Sequence, residues 1–250
     1  MRLANNTYAI QGLFTLSPWI VNSGFIVGQN KTLIIDSGAN YISAQTILGY
    51  AKCASGDNEF IIVNTEPHFD HIGGNCYFAE LDIPILGHAE INRTMDEFVG
   101  LKAEYNRSIT SKVRREKHEE EHLFWKTSPV SPSVKIKDQI TKIELGGIDI
   151  ELILTPGHSP QNLVVWSKDE KILFAGDTII QGYIPNMEDS TVEGWQDWLN
   201  SLDLIEKLNP NILIPGHGNI LREAEIKEQI NITRMFLERG LREGKAPTAS

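Results

Sequence analysis

Cysteine is scarce in this sequence: Cys53 and Cys76 are the only two among 250 residues. Their spacing excludes a disulfide framework and a cysteine-based metal or redox motif, and each reads as a small buried hydrophobe. Also missing is any apolar run long enough to span a membrane. The opening MRLANNTYAIQGLF lacks the apolar core of a signal peptide. These absences give the expectation of a cytoplasmic protein with no membrane partner. No long basic block offsets the net charge of −10, which argues against nucleic acid as a partner. A small-molecule substrate is expected instead, and a homo-oligomer stays open. No fixed short period recurs, so repeat architectures are set aside as well.

What is present suits one globular domain over residues 1–250, with 41% hydrophobic and 22% charged residues. WIVNSGFIVG and KTLIIDSG read as a β-hairpin turning at Gly and Asn. A helix is expected over 40–53, then the short strands EFIIVNT and IPILGH. From residue 89 the apolar residues Ile91, Met95, Phe98, Leu101, Tyr105 and Ile109 recur at helical spacing. The prolines of TSPVSPSV then stop the pattern. Residues 89–133 therefore read as an insertion of two helices, covering the site and shaping its pocket. Strands return in DQITKIELGGIDIELIL, NLVVWS and KILFAGD. A helix over about 191–208, the strand NILIPGH and a charged helix to about 243 complete the chain. Two β-rich halves, each followed by helices, predict a layered α/β sandwich with helices outside.

Potential metal ligands stand where these strands end: NTEPHFDH after FIIV, TPGH after IELIL, FAGD after KIL, and PGHG after NILI. Strand ends are stiff, and their loops converge at one edge of a sheet. The candidates are Glu66, His68, Asp70, His71, His158, Asp177 and His217. Seven nitrogen and oxygen ligands exceed the needs of one tetrahedral zinc. They suit two divalent metal ions sharing a carboxylate.

With these motifs the chain resembles the metallo-β-lactamase-fold hydrolase superfamily. That family's T-H-x-H-x-D-H reads here as Thr65-Glu66-Pro67-His68-Phe69-Asp70-His71, and TPGHSPQNLVV, LFAGDTI and PGHG match its later motifs. The resemblance implies a four-layer αββα sandwich. It also implies one metal on Glu66, His68 and His158, a second on Asp70, His71 and His217, and Asp177 bridging them. Residues 176–218 are most similar to sulfur-oxidation-like and quinoprotein-relay-like members. Glu66 departs from the pattern, since the family has His there. Either it ligates in place of the imidazole or it abolishes the first site. As a ligand it adds a third carboxylate, which makes the cluster a weaker Lewis acid and tilts it from zinc towards iron or manganese.

Other residues carry two readings each. Asp36 matches a family position that supports ligand imidazoles, and equally suits a turn or cap. His88 faces substrate or is a hydrogen-bonded structural residue. Tyr183 donates to a developing oxyanion or packs on the insertion. HEEEH at 118–122 satisfies the zinc-peptidase pattern H-E-x-x-H, but in so charged a stretch His118 and His122 read as a solvated face.

The function expected from the resemblance is metal-dependent hydrolysis of an ester, lactone, thioester or related small substrate. A hydroxide held by two metals, most simply zinc, attacks, and Asp70 orients it and takes a proton. The bridging Asp177 counts against β-lactams. An iron-dependent oxidoreductase or oxygenase of the same fold, or a binding protein with a degenerate site, are the alternatives.

Overall fold

The computed structural model describes residues 1–13, 20–108 and 122–247. Its first sheet contains β1 (Thr7–Leu13), β2 (Val21–Val27), β3 (Lys31–Ile35), β4 (Glu59–Val63), β5 (Ile85–His88) and β6 (Val134–Ile136), in that spatial order. Pairing is antiparallel from β1 to β3 and parallel from β3 to β6. The second sheet runs, from one edge to the other, β12 (Leu221–Arg222), β11 (Ile212–Pro215), β10 (Ile172–Gly176), β9 (Leu163–Ser167), β8 (Asp149–Leu154) and β7 (Ile140–Glu144). Only β10 and β11 are parallel neighbours in it. The helices are α1 (Tyr41–Ser55), α2 (Phe69–Ile72), α3 (Asn75–Glu80), α4 (Met95–Ser108), α5 (Val192–Leu208) and α6 (Ala224–Glu243).

Side-chain alternation along the strands builds the layers. In β3, Leu33 and Ile35 face Val165, Phe174 and Ile214 of the second sheet. Between them Ile34 points outward to Ala44, Ile47 and Leu48 of α1. On the far side Val164, Leu173 and Leu213 meet Trp195, Trp198 and Leu202 of α5 and Ile230 of α6. Apolar surface is thus buried three times, and the result is the αββα sandwich. No described helix is long and apolar enough to cross a membrane.

Two expectations need correction. Cys76 is buried, but Cys53 is exposed, on the outer side of α1. The helical stripe does not begin at residue 89. Residues 89–90 form a turn, 91–94 are irregular, and Thr94 starts α4 at Met95 through a capping box. The Thr94 N–H donates to Glu97 Oε2 (2.7 Å) and the Glu97 N–H to Thr94 Oγ1 (3.3 Å). That offset turns Met95 outward, 54% exposed, and leaves Phe98 and Tyr105 to pack with Phe69 and Phe124. Ile109, His118 and most of the second expected helix lie outside the described residues, and His122 is exposed.

Candidate metal centre

The loop after β4 is pinned from both sides. Asn64 and Asn75 exchange amide hydrogen bonds (3.1 and 2.8 Å). Asp36 accepts from the Thr65 N–H (2.8 Å) and the Thr65 hydroxyl (2.7 Å). His68 then caps α2, and that single helical turn presents Asp70 and His71. His158 follows β8 on a loop lying against Trp198. A Cβ on Gly157 would come within 2.4 Å of the Trp198 Cβ, so only glycine admits this approach. Asp177 follows β10 and His217 follows β11. A Cβ at Gly216 would fall 1.8 Å from Asp177 Oδ1.

Four segments from both sheets thereby meet. Glu66, His68, His158 and Asp177 form one group and Asp70, His71 and His217 a second, with the ligand atoms of each within 4.8 Å of one another. Together the groups make a candidate binuclear divalent-metal site. Glu66 is wholly buried, its Oε1 2.9 Å from His71 Nε2 and its Oε2 3.0 Å from His68 Nδ1 and 3.3 Å from His158 Nε2. Asp177 reaches both groups, 3.3 Å from His71 and His217 and 3.5 Å from His158. Asp70 Oδ2 is 3.2 Å from His217 Nε2.

The ring nitrogens turned away from the centre have acceptors. His71 Nδ1–H donates to Asp36 Oδ2 (2.9 Å), His158 Nδ1–H to the Asn186 carbonyl (3.2 Å) and His217 Nδ1–H to the Ile20 carbonyl (2.7 Å). These bonds fix tautomers that leave Nε2 inward. His68 is turned the other way, with Nδ1 inward and Nε2 3.8 Å from Asp189.

Fit to metal ions is tested by the inward atoms themselves. Both Glu66 oxygens, His71 Nε2 and Asp177 Oδ1 are buried and make no hydrogen bond, although they crowd within 2.9–3.3 Å of nitrogen or oxygen neighbours. Each orphaned buried polar atom costs about 1–3 kcal/mol. Cations placed among them satisfy all of these atoms at once. The donor set of four imidazoles and three carboxylates fits divalent ions.

Without metal, protons take that place. Burial alone would lower His68, but the adjacent Glu66 charge, with those of Asp70 and Asp177, carries it up to about 9. His217 rises to about 11 against its burial because of Asp177 and Asp70. His71 goes well above its ordinary value through Glu66, Asp177 and Asp36. Burial and Asp177 push Glu66 up, but the three neighbouring imidazoles outweigh them and bring it to about 2. Asp177 and Asp70 are lowered against their burial by His217 and His71. Asp36 is raised, since burial outweighs the pull of His71.

The signs set a pH window for the metal-free protein. The raised histidines stabilise it fully below 6.5, and that contribution is lost as pH climbs through about 9 and then 11. The lowered Glu66 stabilises it above 4.5, and that is lost as pH falls towards about 2. Metal-free protein is therefore most stable between roughly pH 4.5 and 6.5, with Tm falling on the alkaline side. Metal loading, which requires neutral imidazoles, reverses the alkaline slope. Melting curves of chelated and reloaded protein check this, and a flat metal-free Tm from pH 6 to 9 contradicts the shared protons.

Asp36 also holds φ +59°, a left-handed conformation that asparagine tolerates and alanine does not. Asp36→Asn is expected to fold and to weaken metal retention about 10–100-fold. Asp36→Ala loses about 3 kcal/mol of stability as well. Metal titration and denaturant unfolding separate the two.

A cavity of about 640 Å³ opens above the centre. His68, Asp70, His158, Asp177 and His217 lie at its base, and Tyr183 is on its wall. His88 is not among the lining residues, and its Nδ1 accepts the Glu90 N–H (3.2 Å). Arg93 and Asp189, which also line the cavity, were not singled out in the sequence. Arg93 Nε donates to the Pro67 carbonyl (2.7 Å), between two of the candidate ligands.

Comparison with known proteins agrees with this architecture. A family model described as "Metallo-beta-lactamase superfamily" matches residues 16–217. The chain is 28% identical over 235 residues to "Acyl-coenzyme A thioesterase MBLAC2" of Gallus gallus, covering 87% of this chain and 79% of that one. It is 27% identical over 196 residues to "Beta-lactamase-like protein 2 homolog" of Caenorhabditis elegans, covering 76% of this chain and about half, 53%, of that protein. Its fold matches that of a metallo-beta-lactamase from Pontibacter korlensis with a TM-score of 0.69, at 17% identity, covering 95% and 97% of the two chains.

Proposed function

The chain belongs to the metallo-beta-lactamase superfamily, and on that premise we propose that it is a metal-dependent hydrolase of esters or thioesters. The observation that carries this reading is the set of orphaned buried atoms on Glu66, His71 and Asp177 beneath an open cavity. Glu66, His68 and His158 would hold one divalent ion, Asp70, His71 and His217 the other, and Asp177 both. Bound there, the ions supply a nucleophile from water at neutral pH and a positive charge facing the substrate carbonyl.

The chain's own groups do the rest. Asp70, ionised and at the base of the cavity, orients the attacking water and takes its proton. The water oxygen bonds to the acyl carbon, the C–O or C–S bond breaks, and the leaving group takes the proton from Asp70. Phe69, Leu101, Ile180 and Ile184 line the cavity with apolar surface suited to an acyl chain. Tyr183 on the same wall places a hydroxyl donor for the oxyanion. The thioesterase name of the Gallus gallus relative supports the choice of bond. The likeness of residues 176–218 to sulfur-oxidation-like members is kept within this reading.

Elemental analysis and thiol release from a neutral acyl thioester test it. Two equivalents of metal, loss of turnover on chelation and at least a hundredfold recovery on reloading are expected. Turnover that survives complete metal removal would sink the reading, as would failure of every loaded form on ester, thioester and lactone panels. Glu66 favours one variation: a third carboxylate hardens the donor set, so the native ions are iron or manganese as readily as zinc. Iron in the purified protein together with substrate-dependent oxygen uptake would shift the assignment to an oxygenase.

A further inference from the structure

Beyond its metal groups, the cavity is unevenly charged. Glu97, Glu104, Glu188 and Asp189 line it, and Arg93 is the single Lys or Arg among its described lining residues. That arginine is already engaged. Its Nε donates to the Pro67 carbonyl, its Nη1 lies 3.1 Å from Glu97 Oε1, and its guanidinium stands 5.6 Å from the Phe69 ring centre. Asp189 is held in place by the Asn186 amide (2.6 Å), which sets its carboxylate 3.8 Å from the outer nitrogen of His68. Two divalent ions would balance the three buried ligand carboxylates to within one charge, and the described lining residues of the rim would stay negative. Asp177, 4% exposed, is among the same lining residues, so these carboxylates stand over the candidate metal groups.

We propose that this cavity selects acyl esters or thioesters whose leaving group is cationic or neutral, and rejects those whose leaving group carries phosphates. The inference rests on the hydrolase reading and deepens it. The acyl chain lies on the apolar wall with its carbonyl over the metal groups. In that pose the leaving group points outward, past the exposed lining residues Glu104, Glu188 and Asp189. A pyrophosphate there meets like charge with no unengaged cation among the described lining residues. An ammonium meets complementary charge, and a chain bearing −10 overall adds to the bias. Fields of this kind change association rates by about 10–10³-fold.

Three thioesters of one acid decide it, all read by released thiol with metal-loaded protein: butyrylthiocholine, S-butyryl-N-acetylcysteamine and butyryl-coenzyme A. The kcat/KM for the thiocholine ester should exceed that for the coenzyme A ester by about tenfold or more, and high salt should narrow the gap. Glu104→Lys with Glu188→Lys should reverse the order. The milder Glu104→Gln and Glu188→Gln should each narrow it, so the test does not depend on the double variant folding. As a readout independent of turnover, desulfo-coenzyme A should show no calorimetric binding to the metal-free wild type and should bind the double-lysine variant. A wild-type preference for butyryl-coenzyme A, or a ratio that ignores the rim substitutions, overturns the inference and leaves the hydrolase reading standing. Absence of turnover of all three overturns the inference, and together with failure on the ester and lactone panels it overturns the hydrolase reading as well.

Discussion

Asp177→Ala is expected to lower kcat/KM by about 10³-fold or more, a loss of roughly 4 kcal/mol of transition-state stabilisation. Asp177 lies between the two groups, 3.3–3.5 Å from His71, His158 and His217. On the proposed assignment its removal would take a ligand from both ions, so bound metal should fall from two equivalents to one or fewer. The same substitution tests the metal-free state. His71 and His217 owe their raised values in part to Asp177, and removing one partner from a buried ionic network costs about 3–5 kcal/mol. Metal-free Asp177→Ala should therefore melt well below metal-free wild type near pH 6. Asp177→Asn, which keeps the shape, isolates the charge. Near-wild-type turnover with an unchanged metal ratio would rule out a shared-carboxylate centre.

Glu66→Gln should be nearly as damaging. Glu66 is completely buried, touches three imidazoles, and has both oxygens unbonded. That placement supports the reading of Glu66 as a ligand. Removing even a supporting partner of a metal ligand costs about 10–100-fold in affinity, so neutralising Glu66 should weaken retention of the first ion by at least that factor. Glu66→His is the informative partner. It exchanges a carboxylate for an imidazole, makes the donor set softer, and should raise the ratio of zinc to iron together with turnover of simple esters. In the metal-free protein it removes the main charge holding His68 near 9, so the alkaline fall in stability should begin at lower pH. An unchanged metal ratio in Glu66→His would defeat the charge argument.

Much of this candidate centre could be read from the sequence because the residues brought together are side chains at the ends of apolar strands. FIIV, IELIL, KIL and NILI each predict a strand, and the histidines and acids that follow are ordinary metal ligands. The layers were legible for the same reason, since β3 alternates between two apolar environments. What escaped was whatever lacks a side-chain signature. The carbonyls of Ile20 and Asn186 orient His217 and His158, but any residue has a carbonyl. Arg93 and Asp189 act through distant partners, and no local pattern marks such contacts. The start of α4 was misplaced because apolar periodicity alone extends through Ile91. The Thr94–Glu97 capping box was the missing signal. Asp36 left two readings open, and the structure shows it doing both: it sits at a left-handed turn and holds His71.

The order in which the ligands lie along the chain has a consequence for biosynthesis. Glu66, His68, Asp70 and His71 leave the ribosome together, whereas His217 follows them by about 150 residues, on the order of 10 s at 5–20 residues per second. During that interval the nascent chain carries four donors from the two groups with none of their partners from the second sheet. A stray transition metal that seizes this half-set meets a flexible site with little selectivity. The finished geometry, which sets Glu66 against His158 and Asp70 against His217, exists only after both sheets have closed. Selective loading of the candidate site would thus have to follow closure of both sheets, and a culture starved of metal during synthesis and supplied afterwards should yield the more uniform protein.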